Sequence, residues 1–325
     1  MKKYGKKIAF IAILLALIYI PGTWMNAKFL TRNHLANGKN GIHAKLEVEP
    51  EDTIDILVLG DSESYTTVSP MQLWKQYGYT AYAAGQPGAK VSDTEAVLKT
   101  ALKKQNPKVV LLETNVLFRY EPTDKKTQSL ISDTIYQTFP LLKNHNAWKS
   151  PFTELRVKTY MGFPISAKIR PYSGEPYMVD SKETTRIDEQ NQKTLRKIQT
   201  MCADKGAKLV LYSAPSPKNY NSTKHQLLVE LAKAEGLEYI DLNTNTETLA
   251  IDWSIDTRDK GDHLNFSGAQ KTTAYLGTYL KNSCEIPSRR QDECAKHWNR
   301  MLKVYEAHIQ RAEVKLDENA KVYEM

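Results

Sequence analysis

After a basic start, residues 8–27 carry no charge, and their first part, IAFIAILLALIYI, is strongly apolar. A run of about 20 residues is long enough to cross a bilayer, although Pro21-Gly22 is expected to interrupt it. A polar stretch follows to about Asp52. Beyond it, short apolar runs rich in β-branched residues recur at 54–59, 79–84, 108–113, 208–213 and 238–241, with helical patterns between them. Continuous apolar strands alternating with helices predict a mainly parallel five-stranded sheet covered on both faces. The expected fold is a flavodoxin-like three-layer α/β/α sandwich, preceded by an N-terminal transmembrane helix.

Local punctuation supports these elements. Ser69-Pro70 is suited to start a helix that Gly78 ends, and Ser92 with Glu95 forms a capping-box pattern before Val97, Leu98, Ala101 and Leu102. Gly206 and Gly236 each fall where a helix should close just before a strand. The alternation breaks between about 118 and 181, where Pro122, Pro140, Pro151, Pro164, Pro171 and Pro176 punctuate a segment containing Phe139, Trp148, Tyr160, Tyr172 and Tyr177. Such an insertion either caps a site or is a packing excursion. Past Cys294, the helical spacing of Trp298, Leu302, Tyr305, Ile309 and Leu316 predicts a docked helix. The expected organisation is an anchor at 1–27, a stalk at 28–52, a main domain at 53–283 and a C-terminal loop and helix at 284–325.

Charge refines this picture. The 325-residue chain carries a formal +8. Eight Lys/Arg lie within residues 1–50 against Glu47 and Glu49, so +6 is concentrated there and the rest is nearly neutral. That distribution excludes the domain-wide basic field of a nucleic-acid binder. Lys2, Lys3, Lys6 and Lys7 precede the apolar run and should stay in the cytoplasm, placing the remainder outside a cell membrane that the chain crosses once. A cleaved signal peptide is the competing reading, disfavoured because Met25-Asn26-Ala27 is a poor small-x-small cleavage site. In an exported protein Cys284 and Cys294 are close enough in sequence to form a disulfide, whereas Cys202 reads as a buried small hydrophobe. No Cys/His spacing resembles a zinc site.

The chemistry is concentrated at two places. The first strand ends ILVLGDSESYTTVSP, which puts Gly60-Asp61-Ser62 at the carboxyl end of a buried strand, where an open α/β sheet places its ligands. A serine there needs a base that titrates near neutral pH. Of seven histidines, His34 and His43 fall in the stalk, His145 in the insertion, His225 at a helix start, and His297 and His308 in the tail. His263 alone lies in a short polar loop, RDKGDHLNFSG, before a final helix from about 267 to 282. Donors for a developing oxyanion are expected after the second and third strands, at Gly88 (or Gly85) and Asn115.

Gly60–Ser62, Gly88, Asn115 and the His263 loop, in this order, resemble the blocks of the SGNH/GDSL hydrolase family. The ending His263-Leu264-Asn265-x-x-Gly268 is similar to that of exported members acting on cell-surface polymers. The resemblance implies a serine esterase, or a transferase of small acyl groups such as O-acetyl. Its partner would be an acylated cell-envelope glycan, with a membrane-bound O-acyltransferase as a further partner class, and it implies no metal or cofactor. Three stretches depart from the family pattern. Glu63 replaces a usual Leu, and Glu113-Thr114-Asn115-Val116 stands for Gly-x-Asn-Asp. Lys260 occupies the slot of the orienting aspartate, leaving Asp259 and Asp262 as alternatives, with Asp259 preferred because adjacent side chains diverge. A non-catalytic accessory protein and a glycan-binding surface module remain as alternatives.

Overall fold

The apolar runs pair because each is buried on both faces and satisfies its backbone groups only in a sheet. In the computed structural model, residues 2–24, 29–30, 38–120, 159–180, 185–244 and 246–324 are described. Their strands are β1 (Ile56–Leu59), β2 (Ala81–Ala83), β3 (Val109–Glu113), β4 (Thr159–Tyr160), β5 (Phe163–Pro164), β6 (Lys208–Ser213) and β7 (Glu238–Asp241). Five form one sheet in the order β2-β1-β3-β6-β7, every pair parallel, while β4 and β5 make a small antiparallel hairpin. This flavodoxin-like order switches direction between β1 and β3, so a crevice is expected at their carboxyl ends. The register aligns Leu59 with Leu112, Glu113 with Tyr212, and Ser213 with Asp241.

Helices cover both faces. Val91–Ala101 packs with Glu189–Asp204, and Phe266–Ser283 packs with Ser62–Thr67 and Pro70–Tyr77. Leu73, Leu276 and Leu280 join Ile56, Val58, Leu111 and Val210 in one core. The alternate strand residues Leu57, Leu59, Val110 and Leu112 turn to the other face and are equally buried. Burying one such aliphatic side chain contributes about 1.5–3 kcal/mol. Gly277 permits the close helix approach, because a Cβ there would lie 2.6 Å from the Tyr77 ring.

The chain divides into two compact units, one of Met1–Glu49 with Glu121–Arg156, the other of Pro50–Tyr120 with Val157–Met325. In the first, the helix Lys2–Trp24 contains a span, Tyr4–Gly22, long and apolar enough to cross a membrane or serve as a signal sequence. Pro21 lies inside this helix rather than ending it, and lacks the N–H that would otherwise join the helical ladder. Within the second unit, the C-terminal helix Ala295–Glu324 docks through Trp298 on Trp74, with ring centroids 5.4 Å apart, and through Tyr305, hydrogen-bonded to Ser69.

Other local expectations are revised. β1 and β2 are shorter than the apolar runs that predict them. Ser92 does not cap its helix. The helix starts at Val91, and the Asp93 carboxylate accepts the Lys90 N–H at 3.0 Å. Gly78 and Gly236 close their helices in the left-handed conformation, as their positions predict. Cys284 and Cys294 are both free thiols, contrary to the expected disulfide. Cys284 caps the end of the helix Phe266–Ser283, and the segment leading to Cys294 is fastened by Arg289 instead. That guanidinium makes two 2.7 Å hydrogen bonds to the buried Asp55. Cys202 is buried, as expected.

Candidate active site

Gly60 lets the chain leave β1 abruptly: its φ of +141° is one L-residues avoid, and a Cβ would lie 2.7 Å from the Glu113 Cβ. Asp61 then caps the helix Ser62–Thr67, accepting the Glu63 N–H at 2.9 Å. Its second carboxylate oxygen accepts from Asn115 Nδ2 at 3.0 Å and from Arg119 Nε at 3.1 Å. The fully buried Asp61 thereby ties the turn after β1 to the 3-10 turn Thr114–Phe118 after β3.

Ser62 and His263 are 201 residues apart in sequence, yet Ser62 Oγ lies 2.7 Å from His263 Nε2. On the opposite side of the ring, Nδ1 lies 2.6 Å from Asp259 Oδ2. The other Asp259 oxygen accepts the His263 backbone N–H at 2.6 Å. Burial pushes the Asp259 carboxyl up, but the His263 bonds and the nearby charges of His263 and Arg258 outweigh it and hold it below its ordinary value. Asp262 Oδ1 is 3.7 Å from Nδ1 and bonds instead with Asn219 Nδ2 at 2.7 Å and, through its other oxygen, with Lys218 Nζ at 3.2 Å.

Asp259 reaches the ring across four residues because the loop turns back on itself. Lys260 and Gly261 adopt left-handed φ values of +66° and +84°. The Gly261 N–H is accepted by Thr257 Oγ1 at 2.8 Å, and Arg258 N–H by the His263 carbonyl at 3.1 Å. The described end of the insertion runs alongside: Lys260 N–H donates to the Arg170 carbonyl, Tyr172 N–H to that of Trp253, and Phe266 N–H to that of Ser166. Tyr172 and Tyr177 both make edge contacts with Trp253. Phe139, His145, Trp148 and the prolines at 122, 140 and 151 lie outside the described residues.

The expected oxyanion groups differ in setting. Gly85 packs against the serine turn, where a Cβ would meet Ser64 Oγ at 2.0 Å and the Asp61 carbonyl at 2.5 Å. Gly88 has φ +60° and open space beside it. Asn115 gives one amide hydrogen to Asp61, and its Oδ1 lies 3.4 Å from Lys224 Nζ.

Glu63 and Glu113, two of the departures noted in the sequence, meet in space. Together with Asp61 they form a buried carboxylate group with oxygens within 4.8 Å of one another. Burial, then the Asp61 charge, pushes Glu63 up to about 8, against hydrogen bonds from Asn219 and Ser216. Burial and both neighbouring carboxylates likewise drive Glu113 well above its ordinary value. Lys224 is lowered by burial despite the attraction of Glu63 and Glu113; burial also pulls Arg119 down, but its bond to Asp61 and the charges of Asp61, Glu63 and Glu113 together raise it. Asp259, Asp262 and His263 form a second group with ligand-like spacing. In both groups the carboxylate oxygens and the ring nitrogens are already hydrogen-bonded within this chain.

Sequence reasoning did not find Arg119, Asn219 or Lys224. A carboxylate ending an otherwise apolar strand, as in VVLLE, was a signal for a buried acid at Glu113. Nothing in SAPSPKNY marked Asn219.

No protein-family model matches the chain, and no curated protein matches it in sequence. Among the solved structures that resemble it are two with low scores. One, from Bacteroides fragilis NCTC 9343, is provisionally described as an acylhydrolase; it has a TM-score of 0.41 and 11% identity, covering 76% of this chain and 97% of its own. The other, an acetyl xylan esterase, has a TM-score of 0.37 and 16% identity, covering 69% and 99%. At those scores neither likeness bears on the chemistry of this chain.

Proposed function

We propose that this chain is a membrane-anchored serine esterase of the SGNH/GDSL type, its main domain outside the cell, that removes or transfers O-acetyl or similar small acyl groups on cell-envelope glycans. The observation that carries the reading is the unbroken chain of hydrogen bonds from Ser62 Oγ through the His263 ring to Asp259, at the carboxyl edge of the sheet. In this reading His263 Nε2 removes the Ser62 proton as Oγ attacks the ester carbonyl, and Asp259 holds the Nδ1–H tautomer and the imidazolium that forms. The Ser62 N–H, Gly88 and Asn115 are the assigned oxyanion donors. The protonated His263 then gives its proton to the leaving alcohol. Water releases the acyl group as acid, whereas a sugar hydroxyl accepts it as a new ester.

A non-catalytic accessory role predicts Ser62 and His263 beyond proton-transfer reach, and the 2.7 Å contact speaks against it. The test is turnover of an activated acetyl ester, and then of an O-acetylated glycan, by the full chain in detergent. Turnover should disappear in Ser62→Ala. Activity persisting in that variant would remove Ser62 from the mechanism.

A further inference from the structure

We propose that Asn219 is a positioning residue, a brace that fixes the separation of Ser62 and His263 by holding the residue next to each. The proposal rests on the esterase reading above. The two donor directions of one amide nitrogen are both used. Asn219 Nδ2 lies 2.5 Å from Glu63 Oε1 and 2.7 Å from Asp262 Oδ1. Glu63 follows Ser62 in the chain, and Asp262 precedes His263. The brace therefore spans the Ser62–His263 hydrogen bond from outside, one residue away on either side.

Asn219 is itself held by its backbone. Its N–H donates to the Ser216 carbonyl at 3.2 Å, and its carbonyl accepts from Lys224 Nζ at 2.5 Å. The same loop after β6 grips the histidine loop at further points: Ser216 Oγ lies 3.2 Å from the Gly261 carbonyl and 3.1 Å from that of Asp262, within reach of its single hydrogen, and Lys218 N–H donates to the Gly261 carbonyl. Pro215 and Pro217 restrict its backbone. Glu63 is anchored on the other side because it is buried in the helix that begins at Ser62. Both carboxylates keep an acceptor oxygen whether protonated or not, so the brace holds on either side of the Glu63 titration.

A group that only filled space could be truncated with little effect on kcat, whereas a misplacement of about 1 Å at the reacting pair can cost about 100-fold. In the full chain, Asn219→Ala and Glu63→Leu should each lower kcat by about 10- to 100-fold with KM little changed. The double variant should fall no further than the worse single variant, because both remove the same link. Glu63→Gln, which keeps an acceptor oxygen, should rescue most of kcat. Wild-type kcat in Asn219→Ala, or multiplicative losses in the double variant, overturns the brace.

If the wild-type chain turns over no ester, the esterase reading fails. The brace is then decided by the ring 15N resonances of His263, which report the Nε2 contact with Ser62 and the Nδ1 contact with Asp259. A shift in Asn219→Ala supports the brace; unchanged resonances overturn it. Thermal melts confirm that each variant is folded.

Discussion

Asp259 grips His263 twice, with one carboxylate oxygen 2.6 Å from ring Nδ1 and the other 2.6 Å from the backbone N–H of the same residue. The double contact fixes both the position of the loop and the orientation of the ring, which a single side-chain contact does not. Asp259→Asn should therefore lower kcat by about 10³- to 10⁴-fold, the magnitude expected when the orienting carboxylate of such a triad is lost. Asp262→Asn keeps an acceptor for Asn219 and should cost far less. Steady-state kinetics on the two variants decide the assignment; equal losses would mean that Asp262 shares the role.

The buried Glu63 should make the fold weaken as pH rises from about 4.5 to about 8. Its folded value of about 8 lies above the ordinary 4.5, so between those limits the folded state holds a proton that the unfolded state has released. Stability must then fall as pH rises through this window, and Glu113, shifted in the same direction, adds to the slope. Asp259 acts oppositely: its lowered value gives stability that is present above the unfolded value and lost on acidification. Tm measured from pH 5 to 9 should decline, and Glu63→Gln should flatten the decline. An unchanged slope in that variant would assign it to other groups.

Gly85 and Gly88 should separate cleanly. Gly85→Ala drives a methyl into Ser64 Oγ and the Asp61 carbonyl and should disrupt the serine turn, with loss of both activity and stability. Gly88→Ala meets open space and carries only the left-handed backbone penalty, about 1–2 kcal/mol. Chemical denaturation with parallel activity assays tests the contrast.

Arg289→Ala should destabilise the protein by about 3 kcal/mol, because it leaves the buried Asp55 without its bidentate partner. Cys294→Ser should not do so, since no disulfide is present to lose. A Cys294→Ser effect as large as that of Arg289→Ala would restore the bridge.

The sequence alone located the five strands of the main sheet and their parallel pairing, and it singled out Ser62 and His263 as a candidate pair. Strand positions were legible because burial on both faces demands continuous apolar runs. Ser62 stood out because it follows such a run, and His263 because the other histidines lay elsewhere. What only the tertiary structure decided depends on backbone direction and long-range contact. Asp259 and Asp262 are both near His263 in sequence, and the left-handed turn at Lys260 and Gly261 selects which one faces the ring. The meeting of Glu63 with Glu113, and the Asn219 link between Glu63 and Asp262, join segments tens to more than a hundred residues apart. No local propensity encodes such contacts; they arise when parallel pairing brings the carboxyl ends of β1, β3 and β6 to one edge.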